Sequence, residues 1–107
     1  MQGFTIRPAA EGDAALVLHF IRQLAEYEEM LDEVSATEEK IARSLKEGDC
    51  RAVIGEEDGV PVAFALYFFN YSTFLGKKGL YVEDIFVHPQ TRGKGYGKEL
   101  FRYLAKT

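Results

Sequence analysis

Cysteine is almost absent from this chain of 107 residues: Cys50 stands alone, so no internal disulfide framework is available. No motif sets a base beside Cys50, and it reads as a small residue at a strand edge rather than a nucleophile. The two histidines, His19 and His88, are far apart, and no Cys/His cluster has zinc-site spacing, which argues against metal chemistry. No stretch reaches the roughly 18 consecutive apolar residues of a membrane span. The start, Met1-Gln2-Gly3-Phe4-Thr5-Ile6-Arg7, lacks a basic region followed by an apolar signal stretch, so a cytosolic location without membrane association is expected. Repeats, linkers and low-complexity tracts are missing too. Basic charge is in the minority, with 13 basic against 17 acidic side chains. A net negative chain argues against nucleic-acid binding, and Lys77, Lys78, Arg92 and Lys94 read better as solvated basic positions.

What is present suits one globular domain with one core, since 47% of the residues are apolar. Phe4-Thr5-Ile6-Arg7 alternates as a short strand ended by Pro8. Residues 14 to 30 repeat apolar side chains at helical spacing, with Val17, Ile21 and Leu24 on one stripe and Leu16 and Phe20 beside it. Asp32 to Ala36 interrupts that pattern. Ser35-Ala36-Thr37-Glu38 then offers either hydroxyl as a helix cap, with Glu38 able to complete a capping box to Ser35. The second helix runs to about Glu47, with Ile41 and Leu45 as a thin apolar side and Gly48 as its stop. Arg51 to Gly55 reads as a strand, Asp58-Gly59 as a hairpin turn and Val60 to Tyr71 as a long strand. Ser72 to Gly79 reads as a loop, Leu80 to Val87 as a strand ended by His88-Pro89, and Tyr96 to Lys106 as a helix striped by Leu100, Phe101 and Leu104.

Between that strand and that helix lies Arg92-Gly93-Lys94-Gly95-Tyr96-Gly97-Lys98. Alternating glycines let backbone amides approach an anion without side chains in the way, and the helix dipole adds about half a positive charge at that end. Arg92, Lys94 and Lys98 add further charge, so a pyrophosphate is the expected ligand. Gly97-Lys98 is followed by Glu99, which excludes a Walker-type phosphate loop. The glycines run Gly-x-Gly-x-Gly, which excludes the Gly-x-Gly-x-x-Gly dinucleotide fingerprint.

Arg92, Gly95 and Gly97 fit the Arg/Gln-x-x-Gly-x-Gly/Ala signature of the GNAT acetyltransferase superfamily, framed by Glu83-Asp84-Ile85-Phe86-Val87-His88-Pro89. Ile6-Arg7-Pro8-Ala9, Leu24-Ala25-Glu26-Tyr27-Glu28 and Leu80 to Val87 further resemble the diamine (spermidine/spermine) acetyltransferase family. The loop Tyr71-Ser72-Thr73-Phe74-Leu75-Gly76 departs from it, lacking the acidic residue and tryptophan of the polyamine enzymes. The resemblance implies an α/β (α+β) acyl-CoA N-acyltransferase fold: a mixed, mostly antiparallel sheet flanked by helices. It implies acetyl-CoA as co-substrate, no metal, and a homodimer. Ile85, Phe86 and Val87 would hold the acetyl-pantetheine arm, with the Val87 amide polarising the thioester carbonyl. Arg92, Gly93, Lys94, Gly95, Tyr96, Gly97 and Lys98 would hold the pyrophosphate. Tyr27, Glu28 and Glu83 correspond to the family's substrate residues.

Glu28 also continues the Val17, Ile21, Leu24 stripe, so it either meets a cationic partner or marks where the helix emerges into water. Glu83 and Asp84 are neighbours in a strand, where alternation lets at most one face a given pocket; the resemblance points to Glu83, and an ordinary surface carboxylate is the alternative. Tyr67 and Tyr81 either line a pocket or belong to the core. The expected reaction is direct acetyl transfer to a primary amine of a small molecule, a polyamine or a related diamine or amino acid. A primary amine is mostly protonated at neutral pH, so Glu83, through water, is the candidate catalytic base and Glu28 a holder of a second cation. The rival reading is a non-catalytic coenzyme-binding or interaction module. Because the order strand, helix, helix, strand, strand, strand, helix ends without a returning strand, residues 1 to 107 are expected to be the amino-terminal part of one acetyltransferase domain, inactive alone.

Overall fold

The structure, a computed structural model, describes residues 3 to 106. Strand β1 (Phe4–Pro8) is followed by helices α1 (Ala14–Tyr27) and α2 (Glu38–Glu47), strands β2 (Arg51–Glu57), β3 (Val60–Ser72) and β4 (Lys77–Val87), and helix α3 (Tyr96–Ala105). The strands form one sheet in the order β1-β2-β3-β4, and all three pairings are antiparallel. The mixed character implied by the resemblance therefore does not arise among the described residues.

Helices cover both faces of the sheet, which is why β2 and β3 read as apolar runs rather than as strict alternation. On one face Val17, Leu18 and Phe20 of α1 and Ile41 of α2 pack on Ala52, Ile54, Phe64 and Phe86. On the other, Tyr96, Leu100 and Leu104 of α3 pack on Val53, Val62, Ala63, Ala65 and Tyr67. Arg7 ties β1 to the start of α1 through two bonds to Asp13, at 2.9 and 3.0 Å, which hold the Asp13 carboxyl below its ordinary pKa.

The β2–β3 hairpin turns at Asp58-Gly59 as expected. Both residues have positive φ, 51° and 85°, and Glu57 faces Val60 across a two-residue connection. Gly48 ends α2 in the left-handed conformation its sequence suggested (φ 79°).

Four local readings need correction. Helix α1 stops at Tyr27 rather than residue 30, with Glu29 at φ 59°. Glu26, Glu28 and Glu29 crowd negative charge at the end of a helix whose dipole is already negative there. Thr37, not Ser35, caps α2, its hydroxyl accepting from the Lys40 amide at 3.2 Å, so the Ser35–Glu38 box is not formed. The loop expected over 72 to 79 is confined to a turn at 73 to 76, since β4 begins at Lys77: Gly79 pairs with Asn70, and a Cβ there would sit 2.8 Å from the Asn70 side-chain oxygen. That glycine serves close approach within the ladder rather than a turn. Phe101 is 52% exposed, because the buried stripe of α3 runs through Tyr96, Leu100 and Leu104 at intervals of four.

No helix among the described residues is long and apolar enough to cross a membrane.

Candidate functional site

Strand β4 bonds to β3 on one side only, and the phase of that ladder decides what its other edge presents. The His88 amide donates to the Val62 carbonyl at 2.7 Å. In an antiparallel ladder alternate residues turn the same way, so Ile85 and Val87 point their backbone groups away from β3. Arg92 supports this phase, since its Nε donates to the Val87 carbonyl at 3.0 Å. The Ile85 and Val87 amides are thus presented at the sheet edge.

After β4 the chain makes a short turn at Pro89–Thr91. There His88 Nδ1 accepts from the Gln90 amide, and the buried Thr91 hydroxyl donates to the His88 carbonyl at 2.9 Å. Gly93 and Gly95 then both adopt positive φ, 88° and 83°, conformations that strain any residue with a Cβ. Gly95 caps α3 without any side-chain hydrogen bond, and a helix start of that kind can offer its amides to an anion. A Cβ built at Gly93, Gly95 or Gly97 meets nothing within 4 Å, which leaves the mouth of the helix clear.

These elements enclose an open cleft of about 680 Å³. Leu24, Tyr27 and Glu28 form one wall, Ile85, Phe86 and Val87 a second, and the loop with the first turns of α3, from Thr91 to Phe101, the third. The Arg92 guanidinium lies 4.6 Å from the centre of the Tyr27 ring and 5.6 Å from that of Phe86, so it is stacked as well as charged. Three glycines without Cβ obstruction, an uncapped helix start, Arg92 and Lys98 make a donor set that fits a pyrophosphate.

Of the residues singled out from the sequence, Tyr27, Glu28, Ile85, Phe86, Val87, Arg92, Gly93, Gly95, Tyr96, Gly97 and Lys98 meet at this cleft. Lys94 does not line it: its ammonium pairs with Glu57 at 2.9 Å. Tyr96 borders the cleft, but its ring is buried, stacked on Phe4 at 3.8 Å, and its hydroxyl donates to Glu57. That burial, with the Glu57 contact, pushes the Tyr96 phenol up to about 12, and the same contact holds Glu57 below the ordinary carboxylate range. Glu28 is exposed at the end of α1, so the helix does emerge into water there, on the cleft rim.

Strand β4 bulges at Glu83 and Asp84. Val82 pairs with Tyr67 and Asp84 with Leu66, leaving Glu83 as the extra residue. Neither residue lines the cleft; Glu83 is exposed and Asp84 half-buried. Burial raises the Asp84 carboxyl, and the negative charges of Glu83 and Glu28 raise it further, so these carboxylates share one neighbourhood. Asp84, set aside by the resemblance in favour of Glu83, is the more buried of the two.

Leu24, Thr91 and Phe101 were also missed as lining residues. Phe101 lies one turn beyond Gly97, a spacing that could have placed it there. Tyr67 is core and Tyr81 packs on Phe68 at 5.1 Å; neither lines the cleft. The Cys50 thiol is pushed up by burial and then by Asp49, which suits the unreactive role expected of it.

The profile of the Acetyltransferase (GNAT) family matches residues 17–107. Thialysine N-epsilon-acetyltransferase of Bos taurus is 38% identical over 94% of this chain, which spans 65% of that relative. Spermidine/spermine N(1)-acetyltransferase-like protein 1 of Homo sapiens is 34% identical over 99% of the chain, corresponding to 16% of that much longer protein. Among solved structures, a predicted acetyltransferase with acetyl-CoA from Clostridium acetobutylicum superposes with a TM-score of 0.71 at 20% identity, covering 96% of this chain and 71% of that one. The chain thus covers about two thirds of the length of the thialysine relative.

Proposed function

Since the chain belongs to the GNAT acetyltransferase family, we propose that its cleft binds acetyl-CoA and serves transfer of the acetyl group to a primary amine of a small molecule. The observation that carries this reading is the uncapped start of α3 behind two left-handed glycines, set across one cleft from the outward amides of Ile85 and Val87. The backbone of Gly93 to Gly97 with Arg92 and Lys98 is the pyrophosphate cradle, and β4 with Phe86 is the seat of the pantetheine arm. When bound, acetyl-CoA supplies an acetyl group already activated as a thioester. The Val87 amide is the donor for the carbonyl oxygen as negative charge develops there.

The incoming nitrogen must be neutral to attack. Glu83, at the bulge, takes the first proton through water; the new C–N bond forms and the carbon–sulfur bond breaks without a covalent enzyme intermediate, coenzyme A leaving as a thiolate that takes up the second proton the nitrogen sheds on becoming an amide. Glu28 and Asp84 supply a negative field suited to an amine that carries a second cation. The names of the relatives support the same class: thialysine and spermidine or spermine both carry more than one amino group. The homodimer and the cytosolic location belong to this proposal on the strength of the family resemblance, as do small-molecule rather than nucleic-acid partners.

Calorimetric titration with coenzyme A, followed by an acetylation assay across thialysine, polyamines and monoamines, tests the reading. Absence of coenzyme binding refutes it; acetylation of any amine rules out the non-catalytic module. In the full-length protein, Glu83→Gln is expected to lower turnover by about 10²-fold or more while coenzyme affinity changes little. An unaltered pH–rate profile in that variant removes Glu83 from the base role.

A further inference from the structure

Lys94 lies in the middle of the glycine loop, where a cation would be assumed to serve the phosphates, yet its ammonium is directed to Glu57 on the β2–β3 hairpin. The same Glu57 oxygen, Oε2, accepts from the Tyr96 hydroxyl. Tyr96 is the first residue of α3, and its ring stacks on Phe4 of β1, interplanar angle 4°. One carboxylate remote in sequence therefore holds both the tip of the loop and the start of the helix. We infer that Glu57 is a positioning residue for the anion cradle: it draws the Lys94 ammonium away from the cleft and moors the first turn of α3 to the sheet.

This deepens the acetyl-CoA reading and rests on it. The loop's backbone donors are oriented by a clamp on its outer side, and the phosphates meet Arg92, Lys98 and the helix amides rather than Lys94. Holding that third cation off the site limits how tightly the coenzyme is bound and leaves less of its binding to screened charge attraction.

Charge and tether are separable. Glu57→Gln keeps an acceptor for Tyr96 but removes the charge that pairs with Lys94. At low salt this variant is expected to bind coenzyme A about threefold more tightly than the parent, the size of one exposed charge contact, with a steeper loss of affinity as salt rises. Both changes vanish in Glu57→Gln/Lys94→Met. Tyr96→Phe, which loses the tether alone, is expected to bind coenzyme more weakly. A merely structural role for Glu57 moves affinity in the wrong direction and leaves the salt dependence alone. Lys94→Met is the sharpest control: if it weakens coenzyme binding about tenfold and flattens the salt dependence as Lys98→Met does, Lys94 is a phosphate ligand and the inference is overturned. The ligand-free protein gives an independent arm through a urea double-mutant cycle. Non-additivity of Glu57→Gln and Lys94→Met supports the clamp and additivity overturns it, even if the parent fails to bind coenzyme and the acetyl-CoA reading falls.

Discussion

Two glycines in the loop, Gly95 and Gly97, should respond to the same change with opposite sign. Neither alanine Cβ would meet an atom within 4 Å, so steric clash drops out and backbone conformation decides. Gly95 sits at φ 83°, ψ 13°, where alanine costs about 1–2 kcal/mol. A stiffer unfolded chain returns about 0.4–1 kcal/mol of that, leaving Gly95→Ala less stable by about 1 kcal/mol. Gly97 lies inside α3 without a positive φ, so only the gain of about 0.4–1 kcal/mol applies. At about 4–8 °C per kcal/mol for a domain near this size, the melting temperatures of the two variants should differ by on the order of 10 °C. Thermal and urea unfolding followed by circular dichroism measure this directly. Coenzyme A titration of the same samples should show the larger loss for Gly95→Ala, because the left-handed turn is what aims the helix amides outward. If Gly95→Ala matches the parent in melting temperature and affinity, or Gly97→Ala falls with it, the loop does not depend on left-handed geometry and the reasoning is wrong.

Arg92→Lys loses both the planar stack on Tyr27 and the Nε bond to Val87, and should weaken coenzyme A binding by about tenfold, or 1.4 kcal/mol, despite conserving charge; calorimetry checks it. Asp84 has a carboxyl raised above its ordinary 3.8 by burial and by its acidic neighbours, so its ionisation opposes folding. Its penalty is absent below about 3.8 and grows as pH rises from there toward the folded-state value; Asp84→Asn should therefore be more stable than the parent at pH 7, with the difference closing in acid urea titrations. Gly55→Ala would set a Cβ 2.7 Å from Phe4 Cζ and 3.3 Å from Ala63 Cβ, forcing Phe4 off the Tyr96 ring. Overpacking of this kind costs about 1–3 kcal/mol, readable as a lower urea midpoint together with weakened coenzyme binding.

Local chemistry alone determined a good part of this protein. Asp58-Gly59 reads as a two-residue turn because both positions tolerate positive φ; Gly48 stops α2 for the same reason; and the alternating glycines before α3 mark a loop in which Gly93 and Gly95 take positive φ. Each of these depends on the conformational freedom of a few adjacent residues. Tertiary structure decided the rest, where residues distant in the chain compete for one place. Gly79 was read as a loop residue because glycine signals turns, but the approach of Asn70 from β3 explains it. The strand bulge that leaves Glu83 as an extra residue between Val82 and Asp84 exists only in the register between β3 and β4, which no local pattern encodes. Lys94 and Tyr96 belong by sequence to the phosphate loop, yet Glu57, 37 and 39 residues away, claims their side chains. Backbone propensity acts over a few bonds and can be read along the chain, whereas a charge or an aromatic ring goes to whichever partner the fold brings within reach.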